Sequence, residues 1–401
     1  MKKFSILFIC ILFFQLAKAQ DRVITTGVPF LLVAADARSA GMADQGVATT
    51  PDAFSQQYNP AKYAFSPNKQ GFSVSYTPYL TDLVNDISLG QVTYFNRFNE
   101  RSAFAVSLRY FGLGEIELRQ NFDDQPNIVK PNEMAVDASY ALKLSERFSM
   151  AVAGRYIRSN LRIPDGTSDS KPASSFAVDV AGFYQSEEVA YSTFNGRYRL
   201  GFNFQNMGPK IKYDAAGAED DNANFLPANM RVGGSFDFIL DEFNKVTASA
   251  EFTKLLVPTP QIPDAPVDAN GDGDFDDPDD ITESEQRAAN NAAYRKINWV
   301  SGMFQSFGDA PDGFSEEIKE FTYAVGAEYL YQDSFAFRLG YFNESELKGA
   351  RKFFALGAGF KYNIVKIDVS YLFSASKVKN PLENTLRFSL TFNFGDTYDE
   401  F

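Results

Sequence analysis

Near the C-terminus, residues Thr385–Phe394 read TLRFSLTFNF. Leu386, Phe388, Leu390, Phe392 and Phe394 alternate with Thr385, Arg387, Ser389, Thr391 and Asn393. Successive side chains of a strand point to opposite faces, so this run has one apolar face and one polar face. Its length suits a bilayer, which a tilted strand crosses in about 9–11 residues. A half-buried strand of a soluble sheet reads the same way, so the decision rests on how often the pattern recurs.

From Gly71 onward we count fourteen such segments, including this one. Phe72/Val74/Tyr76 opens the series, Ile87–Phe95 is less regular, and Phe104/Val106/Leu108/Tyr110 follows. Later members include Phe176/Val178/Val180, Tyr198/Leu200/Phe202, Phe335/Phe337/Leu339/Tyr341 and Val365/Ile367/Val369/Tyr371. The links alternate in length. They are short around Asn96–Arg101, Lys143–Arg147, Asp241–Lys245, Gln332–Asp333 and Asn363, with Ser186–Gly196 the one oversized member of that set. Between them fall the longer Gly112–Glu133, Asn160–Ser174, Met207–Asn229, Val257–Glu320, Asn343–Lys352 and Ala375–Asn384. Outer-membrane barrels have an even strand number, short periplasmic turns and long outer loops. The expected fold is therefore an all-β, 14-stranded antiparallel transmembrane barrel with a periplasmic N-terminus.

The polar faces carry Arg109, Asp137, Arg155, Asp179, Arg199, Asp237, Glu251, Glu328, Arg338, Asp368 and Arg387. An Arg or Lys on the lipid face costs roughly 2–4 kcal/mol at the midplane, so these residues are expected to face the lumen. A lumen of this strand number is too wide for wall side chains alone to fill. The segment Val23–Lys69, ahead of the first strand, is the expected filler. Its small-residue run Asp36–Gly46 suits a short helix, and Asp36, Arg38 and Asp44 are expected to meet wall charges. The expected organisation is a signal peptide over 1–19, a hatch or plug over 20–69 and the barrel over 70–401, with a long outer loop at 257–320.

The composition agrees. Met1–Gln20 (MKKFSILFICILFFQLAKAQ) has Lys2 and Lys3 before an apolar run and Ala17-Lys18-Ala19 as a cleavage site, the plan of a secretory leader. Its apolar run is too short to span a bilayer. The single cysteine, Cys10, lies inside that run, whereas a lipoprotein would need it at the cleavage point. The mature chain then has no cysteine, and the sequence has no histidine. Disulfides, thiolate or His-ligated zinc and Ser–His or Cys nucleophiles are thereby excluded. No carboxylate pair suggests a glycosidase, and the expectation is a non-enzyme with no required cofactor. A net charge of −13 argues against nucleic acid as a partner. An aromatic content of 15 %, with 40 Phe and 20 Tyr, suits a chain that faces outer-membrane lipid.

The sharpest local motif lies in the longest loop, Asp268-Ala-Asn-Gly-Asp-Gly-Asp-Phe-Asp-Asp-Pro-Asp279. Asp268, Asn270 and Asp272 match positions 1, 3 and 5 of a twelve-residue calcium loop, and Gly273 matches the sharp turn. Asp274 can offer its carbonyl at position 7, with Asp276 at position 9. Asp279 replaces the bidentate Glu, a departure from the EF-hand that resembles the dockerin type of extracellular loop. Two readings stand: a weak Ca²⁺ site with Kd on the order of 10⁻⁴–10⁻³ M, or an Asp-rich solvated loop. The following Thr282–Lys296 is expected to be helical, with Thr282 as N-cap and Glu285 completing a capping box. Further on, Trp299, Phe304, Phe307 and Phe314 lie close in sequence. They either pack beneath the loop or form a docking patch for a protein partner, and Trp299, Phe304 and Phe307 are the expected docking residues.

The stretch Gly27–Tyr63, with Ala37-Arg-Ser-Ala-Gly-Met-Ala-Asp44 and later Tyr58-Asn-Pro-Ala61, resembles the long-chain fatty acid transporter fold. It is more similar still to the PorV branch of the type IX secretion system of Bacteroidetes. The likeness extends over leader, hatch, strands and acidic outer loops. In the fatty acid transporters Asn-Pro-Ala is commonly followed by Gly-Leu, whereas Lys62-Tyr63 follows here. The resemblance implies an outer-membrane export component that binds the C-terminal signal domain of cargo at the large translocon barrel. It then delivers that cargo to a cell-surface signal peptidase and attachment complex. It assigns no residue to cargo binding. A channel for hydrophobic small molecules and a purely structural barrel are the alternatives.

Overall fold

The computed structural model describes residues 23–81, 83–119, 123–161, 172–213, 223–261, 266–267, 281–376 and 380–398. The expected leader, residues 1–19, lies outside them. Fourteen long strands run in chain order: β1 Asn68–Pro78, β2 Ile87–Arg97, β3 Ser102–Leu113, β4 Asn132–Lys143, β5 Phe148–Asn160, β6 Ala173–Gln185 and β7 Asn195–Met207. The second half comprises β8 Asn229–Ile239, β9 Asn244–Leu255, β10 Phe321–Tyr331, β11 Phe335–Asn343, β12 Lys352–Tyr362, β13 Val365–Ser374 and β14 Leu386–Thr397. Each pairs antiparallel with its sequence neighbours, and β1 pairs with β14 through Phe72↔Phe392 and Val74↔Leu390, closing the cylinder. The chain is an outer-membrane barrel. Closure leaves no unpaired sheet edge for the bilayer to solvate.

Loop length alternates as the sequence implied. Links of residues 98–101, 144–147, 240–243, 332–334 and 363–364 lie at one end, and 114–131, 208–228, 256–320 and 344–351 at the other. The oversized short-side turn adds a two-residue strand, Val189–Ala190, beside β7. Among the described residues no helix is long and apolar enough to cross a membrane.

The period of two sorts the side chains. Phe72, Val74, Leu108, Leu339, Leu356 and Phe388 point outward, and aromatic neighbours such as Tyr341 and Phe354 meet across strands at 4.9 Å. Every wall charge named from the sequence is buried on the inner side. Arg155 joins Asp137 on β4 to Asp179 on β6, and Arg199 reaches Asp237 at 2.8 Å.

The segment 23–66 lies within this ring. Its backbone is held from many directions by inward-facing groups. Thr77 Oγ1 donates to the Ala35 carbonyl at 3.0 Å, and Ser149 Oγ donates to the Ala61 carbonyl at 2.8 Å. Asn203 Nδ2 donates to the Tyr58 carbonyl at 2.8 Å, and Ser235 Oγ to the Ala48 carbonyl at 2.8 Å. The Ala37 N–H donates to Ser389 Oγ at 2.7 Å. These partners sit on β1, β5, β7, β8 and β14, so the segment is surrounded by wall. Close approach requires glycine there: a Cβ on Gly340 would lie 2.4 Å from the Met42 carbonyl carbon, and one on Gly201 would lie 2.1 Å from the Val47 oxygen.

The hatch is short turns joined by side-chain caps. Helix α1, Ala37–Ala40, begins at Asp36, whose carboxylate accepts from the Ser39 N–H at 2.8 Å. This corrects one expectation: Asp36 caps a helix through Oδ2 and makes no ion pair with the wall among the described residues, because the backbone donor three residues on fixes its side chain at the helix start. Arg38 and Asp44 do reach the wall. Arg38 donates to both oxygens of Glu328 at 3.1 and 2.9 Å and to Asp52 at 2.5 Å, while Asp44 meets Arg387 at 3.1 Å. Glu328 also accepts from Arg338 at 2.5 Å, Arg338 meets Asp368 at 2.8 Å, and Asp368 meets Lys366 at 3.2 Å. An alternating chain of charges therefore runs from the hatch across β10, β11 and β13. Glu251 accepts from the N–H groups of Gly46 and Val47 at 2.8 and 2.9 Å and pairs with Arg231 at 2.9 Å.

After helix α2, Ser55–Tyr58, Asn59 ties the loop together. Its Oδ1 accepts from Ala61 N–H at 3.0 Å, and its Nδ2 donates to Val47 and Gly182 carbonyls at 2.8 and 2.9 Å. Pro60 can follow because the first residue of a helical turn needs no N–H partner. Lys62 donates to the Gly46 carbonyl and Thr49 Oγ1 at 2.9 and 3.0 Å. It fastens the hatch to itself.

Two measurements check this architecture. Leu339→Arg, at the centre of β11 on the lipid face, should cost roughly 2–4 kcal/mol in urea unfolding from vesicles; an unchanged midpoint contradicts the assigned register. Glu328→Gln leaves two buried guanidiniums without their shared carboxylate, a loss of roughly 3–5 kcal/mol. Trypsin should then cut at Arg38 or Lys62 in a barrel that still migrates as folded, whereas the parent chain resists; equal resistance contradicts the ionic attachment.

Candidate docking platform on the outer face

The long loop, residues 256–320, joins β9 to β10 on the side of the long links. Its first residues, Leu256 and Val257, are buried, and Leu256 N–H donates to the Ala228 carbonyl at 2.7 Å. Val267 and Ile281 exchange backbone hydrogen bonds at 3.1 and 3.0 Å. The calcium-loop candidates Asp268, Asn270, Asp272, Asp274, Asp276 and Asp279 fall between that pair and lie outside the described residues.

Helix α3, Glu283–Lys296, starts as the sequence indicates. Thr282 Oγ1 accepts from the Glu285 N–H at 3.3 Å, and Glu285 accepts from the Thr282 N–H at 2.9 Å. None of its residues is fully buried. Its C-terminal end anchors it: Tyr294 donates to the Pro258 carbonyl at 3.1 Å and meets the Phe225 ring edge-on at 5.4 Å. Lys210 caps that end by donating to the Arg295 carbonyl at 2.8 Å, the position at which a cation complements the helix dipole.

Helix α4, Trp299–Gln305, and helix α5, Phe314–Glu317, display the apolar residues. Phe304 is 75 % exposed and Phe314 79 % exposed, and Val300, Phe307 and Ile318 are also open. Trp299, the first residue of α4, is half-buried. Two of the three expected docking residues, Phe304 and Phe307, thus stand clear, and Trp299 contributes less area. The sequence reading passed over Val300 and Ile318. Their signal was the four-residue spacing to Phe304 and from Phe314, which puts each pair on one side of a helical turn.

Beneath the patch sits a clamp of charges. Lys254, on β9, holds Glu317 at 2.7 Å and Glu320 at 2.5 Å. Lys348, from the neighbouring outer loop, holds Glu316 and Glu320 at 2.8 Å each. Thr259 donates its hydroxyl to Glu320 at 2.5 Å and its N–H to Asp309 at 3.0 Å. Burial, reinforced by the nearby Glu320 and Glu317, pushes the Asp309 carboxyl up to about 6. The arrangement presents an apolar surface on a base tied to the barrel rim. It can bind an apolar face of a protein.

The profile of the family described as "Type IX secretion system protein PorV" matches residues 16–262, more than half of the chain. No curated protein matches the sequence significantly. Among solved structures, a TodX deltaS2S3 mutant, a monoaromatic hydrocarbon channel, is similar at 11 % identity and a TM-score of 0.50, covering 90 % of this chain and 99 % of that one. The Ralstonia pickettii toluene transporter TbuX gives 13 % identity, TM-score 0.48 and coverages of 91 % and 100 %. A Pseudomonas aeruginosa FadL homologue gives 14 %, 0.45, and coverages of 91 % and 99 %. At 11 % identity the TodX match speaks to the barrel fold alone. The sequence profile carries the assignment, and this chain belongs to the PorV family of type IX secretion system proteins.

Proposed function

We propose that this protein is a non-enzymatic carrier of protein export at the outer membrane. It takes up the C-terminal signal domain of cargo as that cargo leaves the large translocon barrel. It passes the cargo to the cell-surface complex that removes the signal and attaches the protein. The observation that carries this reading is the exposed apolar patch of Val300, Phe304, Phe307, Phe314 and Ile318 on a loop fastened to the rim. Several large apolar side chains exposed on one outer loop are the mark of a protein-binding surface. The barrel interior supports the same reading, since hatch and wall are joined there by buried ion pairs.

The assignment is tested by affinity capture from detergent-solubilised outer membranes. The parent chain should bring down a very large barrel and secreted proteins that retain their C-terminal domains. Phe304→Asp with Phe307→Asp should lower captured cargo by about thirtyfold, the effect of losing a hot spot of roughly 2 kcal/mol. Capture of neither partner by the parent chain sinks the reading; equal cargo capture by the variant removes the patch from it.

The loop over 268–279 we assign to Ca²⁺, held by Asp268, Asn270, Asp272, Asp274, Asp276 and Asp279. The closed Val267–Ile281 base supports this by bringing the loop ends together. Titration of Tb³⁺ or Ca²⁺ into the full chain should reveal a site on the order of 10⁻⁴–10⁻³ M that Asp268→Asn with Asp272→Asn abolishes. An identical titration for that variant would contradict the assignment.

A further inference from the structure

The clamp beneath the apolar patch does not balance its own charge. Four carboxylates, Asp309, Glu316, Glu317 and Glu320, face two ammonium groups, those of Lys254 and Lys348. Glu316 is satisfied, with Lys348 on one oxygen and the Asp312 N–H on the other at 3.0 Å. Glu320 is satisfied twice over by both lysines and Thr259. Glu317 is not. Only 6 % of its surface is exposed, and its Oε1 leans on Lys254 while its Oε2 has no partner. Asp309 Oδ1 is likewise buried and unpartnered, its other oxygen being held by Thr259. Burying a carboxylate oxygen without a donor is costly, and a surplus of two negative charges in one buried cluster adds to that cost.

Asp309, Glu317 and Glu320 each present a carboxylate oxygen within 4.8 Å of the other two. We propose that these three residues form a divalent-cation site, separate from the 268–279 loop, that takes a hard, oxygen-seeking ion of the Ca²⁺ class. One such ion matches the missing charge. Carboxylates from different turns, with no preset octahedral frame, suit Ca²⁺ better than Mg²⁺, which demands near-ideal geometry. The ion would join the segment after α4 to the turn that follows α5, fixing the two halves of the apolar patch relative to each other. The site stands or falls independently of what docks on that patch.

The test is Ca²⁺ binding by equilibrium dialysis on the full-length, detergent-solubilised chain carrying Asp268→Asn and Asp272→Asn, which silences the other loop. One Ca²⁺ per chain should remain bound in that background. Adding Asp309→Asn and Glu317→Gln should remove it, with folding verified by heat-modifiable electrophoretic migration. Should the double addition fail to fold, Asp309→Asn alone decides, since Asp309 contacts neither lysine. No bound Ca²⁺ in the silenced background at about 10 mM, well above the weak extracellular range, overturns the proposal. Undiminished binding after the Asp309 and Glu317 changes overturns it equally.

Discussion

A strand in a bilayer has nowhere to put a charge except inward. Each wall strand here alternates, so the residues that cannot face acyl tails are gathered into a polar interior, where they need partners. Part of the demand is met within the wall, by Arg155 between Asp137 and Asp179 and by Arg199 with Asp237. The remainder falls on the hatch. Glu328 sits between one wall guanidinium and one hatch guanidinium, Arg338 and Arg38, and Glu251 accepts from the hatch backbone while pairing with Arg231. Hatch and wall thus complete each other's electrostatics.

This constraint explains which features could be read from the sequence. Alternation of period two and the parity of link lengths are local properties, and they located the fourteen strands and the inward charges. The capping box at Thr282 and Glu285 is equally local. The pairing of Arg38 with Glu328 spans 290 residues, and only the closed cylinder brings them together. Asp36 illustrates the competition: a carboxylate before a small-residue helix finds a backbone N–H nearer than any wall cation. The clamp escaped the sequence reading for the same reason as the Arg38 pair. Lys254 and Lys348 lie far apart in the chain, and their meeting with the Glu316–Glu320 cluster depends on the outer loop folding back over the rim.

The two ends of the charge economy serve different purposes. Inside, hydrogen bonds from wall strands and close glycine contacts at Gly340 and Gly201 hold the hatch backbone against the wall. Outside, the lysine clamp positions two short helices whose apolar residues remain open. Interior attachment and an exterior apolar platform are the two features on which the proposed carrier role rests.

The central claim, that the N-terminal segment resides inside the ring against the inward faces of the strands, is tested most directly by cross-linking. Past Cys10 the sequence carries no cysteine, so Ala37→Cys with Ser389→Cys places a candidate disulfide where the Ala37 N–H and Ser389 Oγ now lie 2.7 Å apart. Oxidation in intact outer membranes should join these positions, giving a covalent loop that protease treatment and reducing gels reveal. Absence of that link, in membranes where a Ser73→Cys and Thr391→Cys pair in register across β1 and β14 does oxidise, would contradict the account.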